Sequence, residues 1–165
     1  MDTISLVLAD DQTLFVDSLR NVLESRAADI CVVGVAANGH EAVALVRRHG
    51  PDIVLMDVRM PVMDGVEATR VICRDYPDTQ VIMLTTYDDD EFVHQAMAAG
   101  AVGYLLKENH PSNLITAIRA VKEGSVLISP TVVRKLLQQA SRYRENVEHL
   151  TEHERDVLKL MDRLG

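Results

Sequence analysis

Residues 52–65 read DIVLMDVRMPVMDG. Four apolar residues, Ile53 to Met56, stand between two aspartates, and a run with Pro61, Asp64 and Gly65 follows. A short run that is apolar at every position, not at alternate ones, describes a strand covered on both faces. The turn RMPVMDG then hands over to a stretch with Val66, Thr69 and Ile72 at helical spacing. A doubly buried strand that ends on an acid and leads into a helix is the repeating unit of a parallel sheet sandwiched between helices.

The same unit recurs on both sides of this stretch. Residues 4–9 (ISLVLA) form an apolar run, and 12–26 carry Leu14, Phe15, Leu19, Val22 and Leu23 at helical spacing. Residues 30–36 (ICVVGVA) are β-branched and apolar. A helix opens at Gly39, carries Ala42, Leu45 and Val46, and closes at Gly50 and Pro51. Further on come a strand over 80–85 (QVIMLT), an Ala-rich helix over 89–99 and a fifth strand over 101–106 (AVGYLL). A last helix runs from about 111 to 123, where Gly124 stops it. Five β–α units predict an α/β, flavodoxin-like fold: a five-stranded parallel sheet in the order 2-1-3-4-5, helices on both faces and right-handed crossovers.

Composition narrows the function classes. The 165 residues are 47% hydrophobic and 25% charged, which excludes a disordered chain. Aromatics make up 4% and Trp is absent, so the core is aliphatic. A formal charge of −8 does not suit a surface built as a whole to bind polyanions. Cys31 and Cys73 form no CxxC and imply neither a disulfide framework nor a zinc site; inert buried thiols are expected. The start MDTISLVLADD lacks a signal peptide's basic region, and no apolar run approaches the roughly 18 residues of a membrane span. A soluble, cytoplasmic protein without membrane contact is expected. Residues 1–133 hold 10 Lys and Arg against 19 Asp and Glu, whereas 134–165 hold 7 against 6. That shift predicts a linker and a second module. Thr151 and Glu154 read as a capping box, with Leu150, Val157, Leu158 and Met161 forming one stripe.

Acidic residues sit at strand ends. Asp10 and Asp11 follow the first strand, and Asp57 ends the third. In the order 2-1-3-4-5 those strands are neighbours, and sites form outside their carboxyl ends at the switch point. A single strand-end aspartate often only caps a helix. Three converging ones repel each other and call for a hard cation such as Mg²⁺. Thr85 ends the fourth strand and Lys107 follows the fifth. Alone, each has a bland reading: a β-favouring strand residue and a solvated lysine. Beside the aspartates they supply a hydroxyl and a positive charge for an incoming phosphoryl group. His40, His49, His94, His110, His149 and His153 lie in no phosphodonor context.

Four blocks make a resemblance specific: ADD at 9–11, LMDVRMPVMDG at 55–65, MLTTYDDDEFV at 83–93 and GAVGYLLKE at 100–108. Residues 3–123 resemble the receiver domain of bacterial two-component response regulators. LTEHERDVLKLM, at 150–161, resembles the opening of the helix-turn-helix output domain of the NarL/LuxR (FixJ) type. The resemblance implies a receiver over 1–123, a linker with a helix over 124–149 and an incomplete DNA-binding domain over 150–165. It implies Asp57 as phospho-acceptor, and Asp10, Asp11, Asp57 and the backbone carbonyl of Arg59 around Mg²⁺. Thr85 and Lys107 would hold the phosphoryl oxygens, with Thr86 a competitor that the spacing to Lys107 disfavours. Thr85 and Tyr104 would form the switch. The implied partners are a sensor histidine kinase, a second copy on phosphorylation, and DNA through the full-length output domain but not through residues 1–165. Such a protein is a signalling protein, not an enzyme in the ordinary sense. Many receivers carry a cis proline after the lysine; Glu108 stands here. A cis bond before a non-proline costs about 2.5–4 kcal/mol, so the isomer stays open at this point.

Other readings compete. A haloacid dehalogenase-type phosphatase also uses an aspartyl phosphate, but it needs an acid two residues beyond the nucleophile, where Arg59 stands. A nucleotide-binding flavodoxin-like domain would want a Gly- or Ser/Thr-rich loop after the first strand, where ADDQTLF is acidic. A phosphorylation-independent interaction module would commonly lack the central aspartate or the lysine, and both are present.

Overall fold

The computed structural model describes residues 3–86 and 90–128, together with helical positions at 134, 137, 138, 156, 157, 159 and 160. The strands are β1 (Ile4–Ala9), β2 (Ile30–Ala36), β3 (Ile53–Asp57), β4 (Gln80–Thr85), β5 (Gly103–Leu106) and β6 (Leu127–Ile128). The helices are α1 (Thr13–Arg26), α2 (Gly39–His49), α3 (Gly65–Asp75), α4 (Asp90–Ala99) and α5 (Pro111–Lys122). All pairings are parallel.

The sheet runs β2-β1-β3-β4-β5-β6, which contains the expected order 2-1-3-4-5. The two-residue β6 extends it where the sequence reading had only a linker: after α5 the chain returns along β5, pairing Gly103 with Leu127 and Tyr104 with Ile128. β5 begins two residues later than expected. Gly100 turns at φ +112°, and Ala101 donates back to the carbonyl of Ala96, so Ala101 closes α4.

Two cores flank the sheet, and the strands alternate between them. Val7, Val54, Met56, Val81 and Met83 face α2, α3 and α4, where Val46, Ile72 and Met97 meet them. Leu6, Leu8, Ile53, Leu55, Ile82 and Leu84 face α1 and α5, against Leu19, Leu23, Leu114 and Ile118. Burying each such aliphatic side chain stabilises the fold by about 1.5–3 kcal/mol. Val157, from the C-terminal stretch, is buried within the first cluster. The rest of the expected apolar stripe that is named above, apart from Val157, and the capping box at Thr151 and Glu154 lie outside the described residues.

Three N-caps follow from the sequence. Asn38 accepts from the Glu41 N–H and Asp64 from the Glu67 N–H, each at 2.8 Å. His110 accepts from the Ser112 N–H at 3.2 Å, so this histidine has a structural task. Cys31 corrects the expectation of buried thiols: it is exposed on β2. Cys73 is half-buried, and burial pushes its thiol up to about 11, which keeps it inert. Among the described residues no helix is long and apolar enough to cross a membrane.

Candidate functional site

β1, β3, β4 and β5 deliver their last residues to one end of the sheet. Asp10 follows β1 and its N–H donates to the carbonyl of Ala36 at 2.9 Å. Its Oδ1 accepts from the N–H of Gln12, also at 2.9 Å, which turns the chain into α1. Asp57 closes β3. Its backbone carbonyl abuts Gly65 so closely that a Cβ there would overlap it. Gly65 also donates to the carbonyl of Val58 at 2.8 Å, so only glycine lets α3 begin this near to Asp57.

Asp10, Asp11 and Asp57 each offer a carboxylate oxygen within 4.8 Å of the others. Asp10 and Asp57 are buried, while Asp11 is exposed. The Lys107 ammonium reaches in from the end of β5, 2.5 Å from Asp10 Oδ2 and 3.4 Å from Asp57 Oδ2. Its backbone is anchored as well: the Lys107 N–H donates to the carbonyl of Thr85 at 2.7 Å. Thr85 is buried at the end of β4, and Thr86 is exposed. The Lys107–Glu108 bond is trans.

One ammonium among three carboxylates leaves negative charge in excess. Burial, and then the Asp10 charge, push the Asp57 carboxyl up from the usual 3.8 to about 6; Lys107 pulls the other way without cancelling them. The excess negative charge at Asp57 is what a bound cation would relieve. Oxygen-only donors fit a hard divalent cation and do not fit zinc or copper.

Arg59, two residues past Asp57, lays its guanidinium over the Phe92 ring of α4, 5.0 Å from the centroid. Together with Asp11, Met60 and Pro61 the pair lines an open cleft of about 530 Å³ beside the aspartates. Tyr104 is fully buried in the first core, across from Met83 on β4.

Sequence reasoning missed Gln12, Phe15 and Phe92 at this site. Gln12 Oε1 accepts from Lys107 Nζ at 3.0 Å, and the Lys107 ammonium sits 4.8 Å from the Phe15 ring centroid. The available signal was a glutamine at the start of α1, where Ser, Thr, Asp or Asn is usual. The Arg59–Phe92 stack left no such signal.

A doubly wound parallel sheet with an acid cluster, a threonine and a lysine at its switch point is the arrangement of a receiver domain. Residues 6–119 match the response regulator receiver domain, and the chain belongs to that family. It is 38% identical over 166 residues to the uncharacterized transcriptional regulatory protein YxjL of Bacillus subtilis, covering 97% of this chain and 76% of that one. It is 35% identical over 176 residues to the transcriptional regulatory protein DegU of Brevibacillus brevis, covering 96% and 74%. Among solved structures, a two-component response regulator of the LuxR family from Aurantimonas superposes with a TM-score of 0.78 at 32% identity, covering 85% of this chain and 99% of that one. The chain thus carries the receiver domain of a NarL/LuxR-type response regulator, and the dehalogenase-type alternative is not favoured. Receivers bind Mg²⁺ at an acidic pocket, and this chain has the pocket.

Proposed function

We propose that Asp57 accepts a phosphoryl group from a phosphohistidine of a sensor histidine kinase, and that the resulting change controls transcription through a C-terminal DNA-binding domain. The observation that carries this reading is the Lys107 ammonium held between Asp10 and Asp57 inside a three-carboxylate cluster. An Asp57 oxygen attacks phosphorus, the phosphorus–nitrogen bond breaks, and the imidazole leaves with a proton from solvent. Lys107 faces the charge that builds on the phosphoryl oxygens, and the Thr85 hydroxyl donates to one of them. Asp10, Asp11, Asp57 and the Arg59 carbonyl would hold Mg²⁺, which when bound neutralises phosphoryl charge and fixes an in-line approach.

The output follows from Thr85. A phosphoryl group on Asp57 draws its hydroxyl inward, and Tyr104 is the aromatic ring that responds. Because Tyr104 is already fully buried, the shift is a repacking within the core, a bias between two existing states. It favours a homodimer. In this reading residues 1–123 are the receiver, 124–149 the linker and 150–165 the start of the output domain. DNA binding belongs to the complete output domain and not to residues 1–165, and the setting is cytoplasmic.

Intact mass after incubation with acetyl phosphate and Mg²⁺ tests the acceptor. One phosphoryl group is expected, absent in Asp57→Asn and absent with EDTA. Labelling that survives Asp57→Asn overturns the assignment.

A further inference from the structure

We infer that Gln12 is a positioning residue that holds the Lys107 ammonium against Asp57 during phosphoryl transfer; the inference rests on the function proposed above. The first observation is what Gln12 does not do. It occupies the N-cap of α1 with extended backbone (φ −88°, ψ 93°), yet its side chain caps nothing. Asn38, Asp64 and His110, at the same position of α2, α3 and α5, all accept a helix N–H. Gln12 instead turns away from its own helix to a lysine 95 residues further along the chain.

The second observation is the geometry around that lysine. Three oxygens surround this ammonium: Asp10 Oδ2 and Asp57 Oδ2 as ion-pair partners, and Gln12 Oε1, which accepts a hydrogen bond from it. Phe15, one turn along α1 from Gln12, closes the remaining side with its ring. The backbone N–H of Gln12 donates to Asp10 Oδ1, so one residue touches both members of the Asp10–Lys107 pair.

The third point is chemical. Two of the three oxygens belong to carboxylates, whose hold on Lys107 changes when a cation enters the cluster or when Asp57 is esterified. The Gln12 amide is neutral and does not titrate, so its grip persists through both events. It spends none of the positive charge that the phosphoryl oxygens need. A lysine stem has many rotamers, and fixing its head in advance removes that entropy cost from the transfer step.

The test uses residues 1–165 with acetyl phosphate as donor and compares Gln12→Met, which keeps the bulk and loses the acceptor, with Gln12→Ser, which can cap α1 but cannot reach Lys107. At saturating Mg²⁺ both variants should be phosphorylated about tenfold more slowly, the worth of one hydrogen bond to a charged group. Mg²⁺ affinity by isothermal titration should stay within about twofold of the parent, since Gln12 is no ligand. Gln12→Ser should melt no lower than the parent, because it gains a cap. In a Lys107→Ala background, Gln12→Met should slow the reaction no further. Parental rates in both variants, or equal slowing with and without Lys107, or rates that follow the melting temperature, overturn the inference. A parent chain that takes no label at Asp57 fails the functional reading; a labelled parent indifferent to Gln12 fails this inference alone.

Discussion

Strand β3 starts beside one aspartate and ends on another, and the two live in opposite electrostatic worlds. Asp52, just ahead of Ile53, accepts from the Ser5 N–H at 2.9 Å, the Ser5 hydroxyl at 3.2 Å and Lys122 Nζ at 2.9 Å. Burial pushes its carboxyl up, but Lys122 and Ser5 outweigh burial and hold it below the usual value. Asp57 shares a single ammonium with Asp10, and burial together with Asp10 pushes it up to about 6. The residue type is the same, and one strand joins the two. What differs is the number of donors facing each carboxylate. The amino end of β3 is electrostatically closed, whereas its carboxyl end has charge left over for a ligand to neutralise.

Removing Lys107 should break the comparison most severely. Lys107→Ala leaves two buried carboxylates without their cation, a loss of about 3 kcal/mol at pH 7. Urea denaturation should show that loss growing as pH rises from about 6, because without Lys107 the Asp57 carboxyl keeps its proton to higher pH. A loss no larger at pH 7 than at pH 5 would mean that the ammonium is not what holds the cluster together.

Asp57→Asn should have the opposite sign. The folded carboxyl titrates near 6 and the unfolded one near 3.8, so between those values the folded state binds more protons. Stability from this group is therefore highest below pH 3.8 and falls as pH rises through 6. Asparagine cannot ionise and escapes that loss. At pH 7 the variant should be more stable by on the order of 1–2 kcal/mol, allowing for partial screening by solvent, and the advantage should vanish towards pH 4. Denaturation midpoints that run parallel across that range would contradict the raised titration.

The smallest effect belongs to the amino end. Lys122→Ala removes one of several donors to Asp52 from a pair whose lysine side chain is 40% exposed. It should cost about 0.5–1 kcal/mol, and less in high salt. A cost rivalling that of Lys107→Ala would erase the contrast between the two ends.

Much of this was legible in the sequence, for identifiable reasons. Doubly apolar strands such as Ile53–Met56 declare a parallel sheet, and the order of that sheet brings Asp10, Asp11 and Asp57 together without any knowledge of side-chain contacts. Thr85 and Lys107 follow because strand ends are visible as breaks in hydrophobicity. What stayed hidden depends on partner choice across long separations. Gln12 meets Lys107 over 95 residues, and Arg59 meets Phe92 over a turn and a helix start, with no periodicity to announce either. β6 was hidden for a different reason: a two-residue pairing follows from where α5 lets the chain return, not from any strand-like run.

The edge strand β2 carries a last consequence. Its pairing with β1 steps from Leu6–Val32 to Val7–Gly34, so Val33 is an extra residue and the edge is kinked. A straight edge with open N–H and carbonyl groups is a template on which another chain can crystallise as cross-β. Here an incoming strand would have to reproduce the same irregularity to stay in register beyond Val33. At the other edge, β6 is two residues long among the described residues. The irregularity at Val33 works against strand addition along the β2 edge.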